Sequence, residues 1–252
     1  MHQIDPTEQT TPVRERPQHK AKIFTPLFFI FVGATLALIA LLLILLPRGG
    51  KVYGRTPENV VRDFVDTHLM GDLQASAECL GHDYAKTKAD SISDPRSFVE
   101  DFRENYFNES AWQVYGNVGM DRDAWMTKLD QVSDAESFSR FYIDFHDAYK
   151  KCLVEVYGIR YEILQLEITP LEGEAFGEPL EYFDTRYQWK QSRNYTILYE
   201  REDVEAFYAV DLLLSYEERG VQTEYSVTML VVETSVGSFI VYEDLVAQME
   251  IR

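Results

Sequence analysis

Basic side chains are scarce: 24 Lys and Arg stand against 42 Asp and Glu, a formal net charge of −18. Nucleic acid and anionic lipid headgroups are both recognised through clustered Lys and Arg, so neither suits this composition as a partner. Cysteine is nearly absent, with only Cys79 and Cys152. Two thiols are too few for a disulfide framework, and both fall on apolar helix faces that suit free, structural cysteine. Also missing are a phosphate-cradling G-x-x-x-x-G-K, a dinucleotide G-x-G-x-x-G and a nucleophile-elbow G-x-S-x-G, which removes the common nucleotide and serine-hydrolase chemistries. No Cys/His cluster has zinc spacing. Asp121-Arg122-Asp123 opens like an oxygen-ligand loop, but Met126 stands where the turn glycine belongs and Val132 where the closing glutamate belongs, which excludes an EF-hand. The sequence predicts no metal and no cofactor.

One further absence organises the chain. Ile23–Leu46 is 24 residues without a charge, and at about 1.5 Å per residue it spans a hydrocarbon core of about 30 Å with some tilt. A cleaved signal peptide has a shorter apolar region and a small-x-small site, whereas this run continues into Pro47-Arg48-Gly49-Gly50. No cysteine lies near its end to carry a lipid. The expectation is a transmembrane helix over 23–46, a disordered leader over 1–22 and a tether over 47–55. Gly33 and Ala37 form a small-xxx-small pair of the kind that lets two helices approach closely. Lys and Arg near the two helix ends are almost balanced. The proline-bearing leader has no folding core, however, and large acidic domains translocate with little regard to charge. The expected topology is therefore a single-pass cell-membrane protein, with its N-terminus cytoplasmic and its C-terminal domain extracytoplasmic. After residue 47 the chain holds 20 basic and 39 acidic side chains.

Residues 56–252 suit one domain. Thr56-Pro57-Glu58 is a helix start, with a hydroxyl cap, a proline in the first turn and an acid near the positive end of the dipole. Val60, Val61, Phe64, Val65 and Leu69 then recur at helical spacing. Gly71-Asp72 ends this helix and caps a second, Leu73–Leu80. His82–Asp94 reads as a polar connection, and Asp94-Pro95 starts another helix. Residues 108–132 are interrupted by Gly116 and Gly119, with a short helix around Trp125 and Leu129. Ser133-Asp134-Ala135-Glu136 reads as a capping box for a long helix carrying Phe138, Phe141, Tyr142, Phe145, Tyr149, Cys152, Leu153 and Val156, which Gly158 ends.

Beyond Gly158 the pattern turns strand-like. Strands are expected over Ile159–Ile168, Val204–Glu217, the run bearing Tyr225, Val227, Met229 and Val231, and Phe239–Leu245. A Pro/Gly/Glu-rich excursion at 170–179 precedes a helical piece near Leu180–Trp189. The fold class is α+β, with helices packed on a curved, mostly antiparallel sheet. Asn108-Glu109-Ser110 and Asn194-Tyr195-Thr196 are glycosylation sequons if the source modifies exported proteins.

Thr56-Pro57-Glu58-Asn59-Val60-Val61-Arg62-Asp63-Phe64, with Met70-Gly71-Asp72-Leu73, resembles the opening helices of the nuclear transport factor 2-like (cystatin-like) superfamily. Ala206–Val210 through Gly237-Ser238-Phe239-Ile240-Val241 resembles its closing hairpins, with Ser238 and Phe239 where the family has lysine and tryptophan. The likeness covers the two ends of 56–252 and leaves 82–133 and 170–203 as elaborations. It implies a cone of helices and curved sheet around an open pocket, used by relatives for catalysis, ligand binding and assembly. Family enzymes place Tyr, Asp or His inside that cone, which makes His68, Tyr142, His146 and Asp211 the candidates, and the expected pocket residues are Phe64, His68, Tyr142 and Asp211. His146, flanked by Asp144 and Asp147, reads as solvent-facing. No convergent catalytic set emerges, so the chain is expected to be a non-catalytic binding or assembly module of the cell envelope. Its expected partners are lipid along 23–46 and either a protein or a second copy of itself. Alternatives are an isomerase or dehydratase acting in the cone, with His68 facing Asp211, and a secretion-complex inner-membrane subunit of the same leader, span and exported-domain layout.

Overall fold

The computed structural model describes residues 54–172 and 177–243. The expected leader, the membrane span over 23–46, most of the tether and the end of the last strand lie outside the described residues. Among the described residues no helix is long and apolar enough to cross a membrane.

The described chain is α+β, with eight α-helices and a curved antiparallel sheet. The opening helix α1 (Pro57–Met70) starts where expected, with the Thr56 side chain accepting from the Asn59 N–H, and stops at Gly71 with φ 83°. Helix α2 (Leu73–Cys79) follows at once, capped by Asp72. The tether ends earlier than expected. The Gly54 N–H donates to the Val236 carbonyl at 2.9 Å and the Ser238 N–H to the Arg55 carbonyl at 3.0 Å, so these two residues are stitched to the domain.

The region 82–133 is more helical than its composition suggests. His82–Asp83 forms a short strand β1, followed by α3 (Tyr84–Asp90), α4 (Pro95–Tyr106), α5 (Glu109–Asn117) and α6 (Arg122–Asp130). Asp83, Asn108 and Asp121 each cap one of these helices through a side-chain oxygen, which is why polar stretches that read as loop are helix starts. Gly116 sits inside α5 rather than breaking it. The long helix α7 (Ala135–Tyr157) is capped by Asp134 with Ser137 as its reciprocal partner, one residue later than the Ser133/Glu136 pair, and ends at Gly158 with φ 62°.

The sheet is built from β2 (Arg160–Leu171), β4 (Val204–Glu218), β5 (Val221–Thr234) and β6 (Gly237–Glu243), in that spatial order and all antiparallel. The intervening pieces are α8 (Gly177–Ser192) and β3 (Thr196–Ile197), which pairs with β1. Register shifts near Ile163, Val204 and Leu230 insert extra residues and bend the sheet. Arg219 and Gly220, with φ of 54° and 77°, make the two-residue turn between β4 and β5.

Three apolar clusters hold these parts together. Val60, Val61, Phe64, Val65 and Leu69 of α1 pack on Val210, Leu212, Leu214, Val227, Met229, Val231 and Ile240 of the sheet. A separate aromatic core joins Phe102, Phe107, Trp125, Phe138, Phe141 and Phe145 of the helical region. On the opposite face of one end of the sheet, Phe183 and Tyr187 of α8 and Tyr199 cover Phe207, Val232 and Phe239.

Candidate functional site

Helix α7 has two working faces. Phe138, Phe141 and Phe145 enter the aromatic core, with the Phe145 ring 5.3 Å from Trp125 and 5.1 Å from Tyr115. Tyr142, His146, Tyr149 and Leu153, spaced by three and four, look instead toward the end of α1 and the start of α2. Between these elements lies a cavity of about 400 Å3, whose walls include His68, Ser76, Tyr84, Tyr142, His146 and Asp147. Its volume falls within the range typical of small-molecule sites.

Each wall has a local cause. His68 belongs to the last turn of α1 and lies on the Phe64 ring, with centroids 5.3 Å apart and planes 21° apart. Burial first, and the Lys150 ammonium second, push its imidazole down to about 4. Burial, with Lys88 adding to it, also lowers His146, whose Nε2 is buried without a hydrogen-bond partner. The sequence expectation of a solvent-facing His146 is therefore corrected: it stands 4.3 Å from the Tyr142 ring, inside the cleft. For both histidines burial and a nearby lysine charge act together to favour the neutral imidazole.

Asp147 is committed to the scaffold. Its Oδ1 accepts the Leu73 N–H at 2.8 Å while Asp72 accepts the Ala75 N–H at 2.9 Å, so two carboxylates hold the first turn of α2. Burial pushes Asp147 up to about 6, opposed by the Leu73 hydrogen bond and reinforced by Asp72. Burial also raises the Tyr84 and Tyr142 phenols, which stack with centroids 6.4 Å apart. The Lys88 ammonium lies over the Tyr142 ring, 4.3 Å from its centroid. Cys79 and Cys152 are both free; burial pushes the Cys79 thiol up to about 12.

Of the expected pocket residues, His68 and Tyr142 line this cleft, whereas Phe64 does not: it stacks with His68 from within the core between α1 and the sheet. Asp211 is elsewhere. It is exposed on the sheet face opposite Val210 and Leu212, opposes Glu167 across β2 and β4, and accepts the Thr228 hydroxyl at 2.6 Å. The pairing of His68 with Asp211 does not occur, because side chains alternate along a strand and the neighbouring positions take the core. The space between α1 and the sheet, where the cone pocket was expected, is filled: Phe64, Val210, Leu214, Met229 and Val231 are all 0 % exposed. Sequence reasoning set His146 aside as solvent-facing and missed Asp147 and Tyr84. His146 and Asp147 share the i, i+4 and i, i+5 neighbourhood of Tyr142, a stripe that was legible once α7 was assigned.

The arrangement offers neutral imidazoles, phenolic donors and aromatic faces, a set suited to binding a small polar molecule. Among the described residues no cluster of three or more His, Cys, Asp or Glu is placed to hold a metal ion. No protein-family model, curated protein or solved structure matches the chain.

Proposed function

We propose that the chain is a single-pass membrane-anchored module of the cell envelope whose extracytoplasmic domain binds a ligand or partner without transforming it. The uncharged run over 23–46 supports the anchor. The helices α1 and α2 packed on a curved antiparallel sheet support kinship with the nuclear transport factor 2-like superfamily. The observation that carries the non-catalytic reading is that, among the described residues, neither cleft histidine has an orienting acid. Their shifts come from burial and lysine charge, and Asp147, the half-buried α7 carboxylate that lines the same cavity, is occupied by the Leu73 N–H. A general base needs a partner that fixes its tautomer and stabilises its charged form.

The test uses the full chain in nanodiscs, analysed by native mass spectrometry and by size. A retained small molecule lost on His68→Leu, or a defined oligomer, supports the reading; a bare monomer with no ligand removes it. One observation favours a second reading, an enzyme in the helical cleft: His68, Asp147, Tyr84 and Tyr142 are all displaced from their ordinary pKa values around one cavity. Substrate turnover abolished by His68→Gln would establish that reading instead.

A further inference from the structure

Beside the cleft, and sharing Tyr84 with it, runs a second cavity of about 370 Å3, walled on one side by α3 and on the other by the end of α8. Its aromatic surfaces are Tyr84, Trp189 and Tyr195. Trp189 is 41 % exposed, in a chain whose other two tryptophans pack with the helical core. Tyr195 lies 5.5 Å from its ring, and the Arg186 guanidinium lies 5.3 Å from its centroid. A large indole held in water by ordered neighbours is an unusual use of apolar area unless something covers it.

The charges point the same way. After residue 47 acidic side chains outnumber basic ones by 39 to 20. Lys88 and Arg193 nevertheless both line this groove, with Asp90 as its single carboxylate. Hydroxyl and amide groups come from Thr87, Ser91 and Asn194. The walls are fixed before any ligand arrives. Asn194 takes φ 57°, the Tyr195 N–H returns to the Lys190 carbonyl at 3.0 Å, and the Thr196 N–H donates to Thr87 Oγ1 at 2.9 Å, tying the end of α8 to α3. A groove built this way loses little entropy on binding.

We infer that this groove binds an acidic sugar unit of a glycan, its apolar ring face stacked on Trp189 and its carboxylate held by Arg193 and Lys88. Aromatic faces attract the C–H bonds of a sugar's apolar face, the guanidinium matches a carboxylate, and Asp90 and Asn194 are placed for hydroxyls. A densely charged polyanion would be repelled by the surrounding acids, so the charges along the glycan are widely spaced. The inference rests on the binding-module reading and names the ligand class for it.

The experiment measures tryptophan fluorescence of the full chain in nanodiscs titrated with a tetrasaccharide of alternating uronic acid and N-acetylhexosamine, beside its carboxyl-reduced neutral form. Saturable quenching is expected with the acidic form, weaker by about tenfold with the neutral form and with Arg193→Gln. Trp189→Ala, tested for binding by calorimetry, is expected to lose it. Circular dichroism checks that both exposed-site variants fold. Absence of saturation at about 1 mM, equal binding of the neutral form, or unchanged binding by Arg193→Gln overturns the inference. New reducing ends in the mixture would overturn the non-catalytic reading alone, leaving the groove as a substrate site.

Discussion

His68, half-buried, and His82, buried, have their imidazoles held at about 4, desolvation being the first cause for each and Lys150 and Lys190 the second. Unfolding returns each to about 6.5. Between these values the unfolded chain binds the extra protons, so stability is fully present above pH 6.5 and is lost as pH falls toward 4. Asp147 opposes them. Its folded value of about 6 lies above the ordinary carboxylate value, so its contribution is present at low pH and lost as pH rises through 6. Two histidines outweigh one aspartate, and the expected outcome is a fall in the denaturant midpoint from pH 6.5 to 4.5. Each histidine contributes a slope of up to about 1.4 kcal/mol per pH unit. Urea titrations at several pH values check this, and His68→Leu should flatten the dependence by its share. Gly71 makes a second residue-scale prediction. With φ +83° and an added Cβ only 2.7 Å from Lys150 Cβ, Gly71→Ala should lose at least about 1–2 kcal/mol in denaturant unfolding. It should also shift α7 against α1 at the cleft.

At the scale of elements, the cap of α7 separates two readings that look equivalent in sequence. Ser133 and Asp134 are both good cap residues, and Glu136 completes a box with the former. In the structure Asp134 Oδ1 accepts the Ser137 N–H at 2.8 Å and Ser137 Oγ accepts the Asp134 N–H at 3.0 Å. Asp134→Ala is therefore expected to cost about 1 kcal/mol and Ser133→Ala only a few tenths, as read by thermal or urea unfolding. Helix α8 shows the reverse case, an element only partly legible beforehand. Its buried face is Phe183, Tyr187 and Lys190, and the lysine reads as solvent-exposed until its ammonium is seen donating to the Leu80 carbonyl. Helix α3 buries no residue of its own and so carries no apolar stripe, and α5 was obscured because its Trp112 and Tyr115 meet an aromatic core shared among four helices.

At the scale of the whole molecule, the proposed anchor and exported domain make two physical predictions. The full chain should stay with the membrane through alkaline carbonate extraction, and Leu36→Arg with Leu38→Arg should release it. Each arginine costs about 2.5–3.5 kcal/mol near the helix centre. Protease added outside intact cells should remove the domain if the topology proposed here holds, and a protected domain would reverse it.

The one-dimensional pattern by itself determined the uncharged run, the acidic balance, both ends of α1, the end of α7 at Gly158 and which residues of β4 and of β5 share a face. Each of these is set by neighbours within a turn or by strand alternation. Only the tertiary structure decided that the space under α1 is filled, that Asp211 faces water, and that His146 and Asp147 turn toward α1 and α2. It also decided that Tyr84, Trp189 and Arg193 meet in one groove. Those outcomes depend on pairs of residues far apart in the chain, and a local pattern carries no information about which distant face will arrive to cover it.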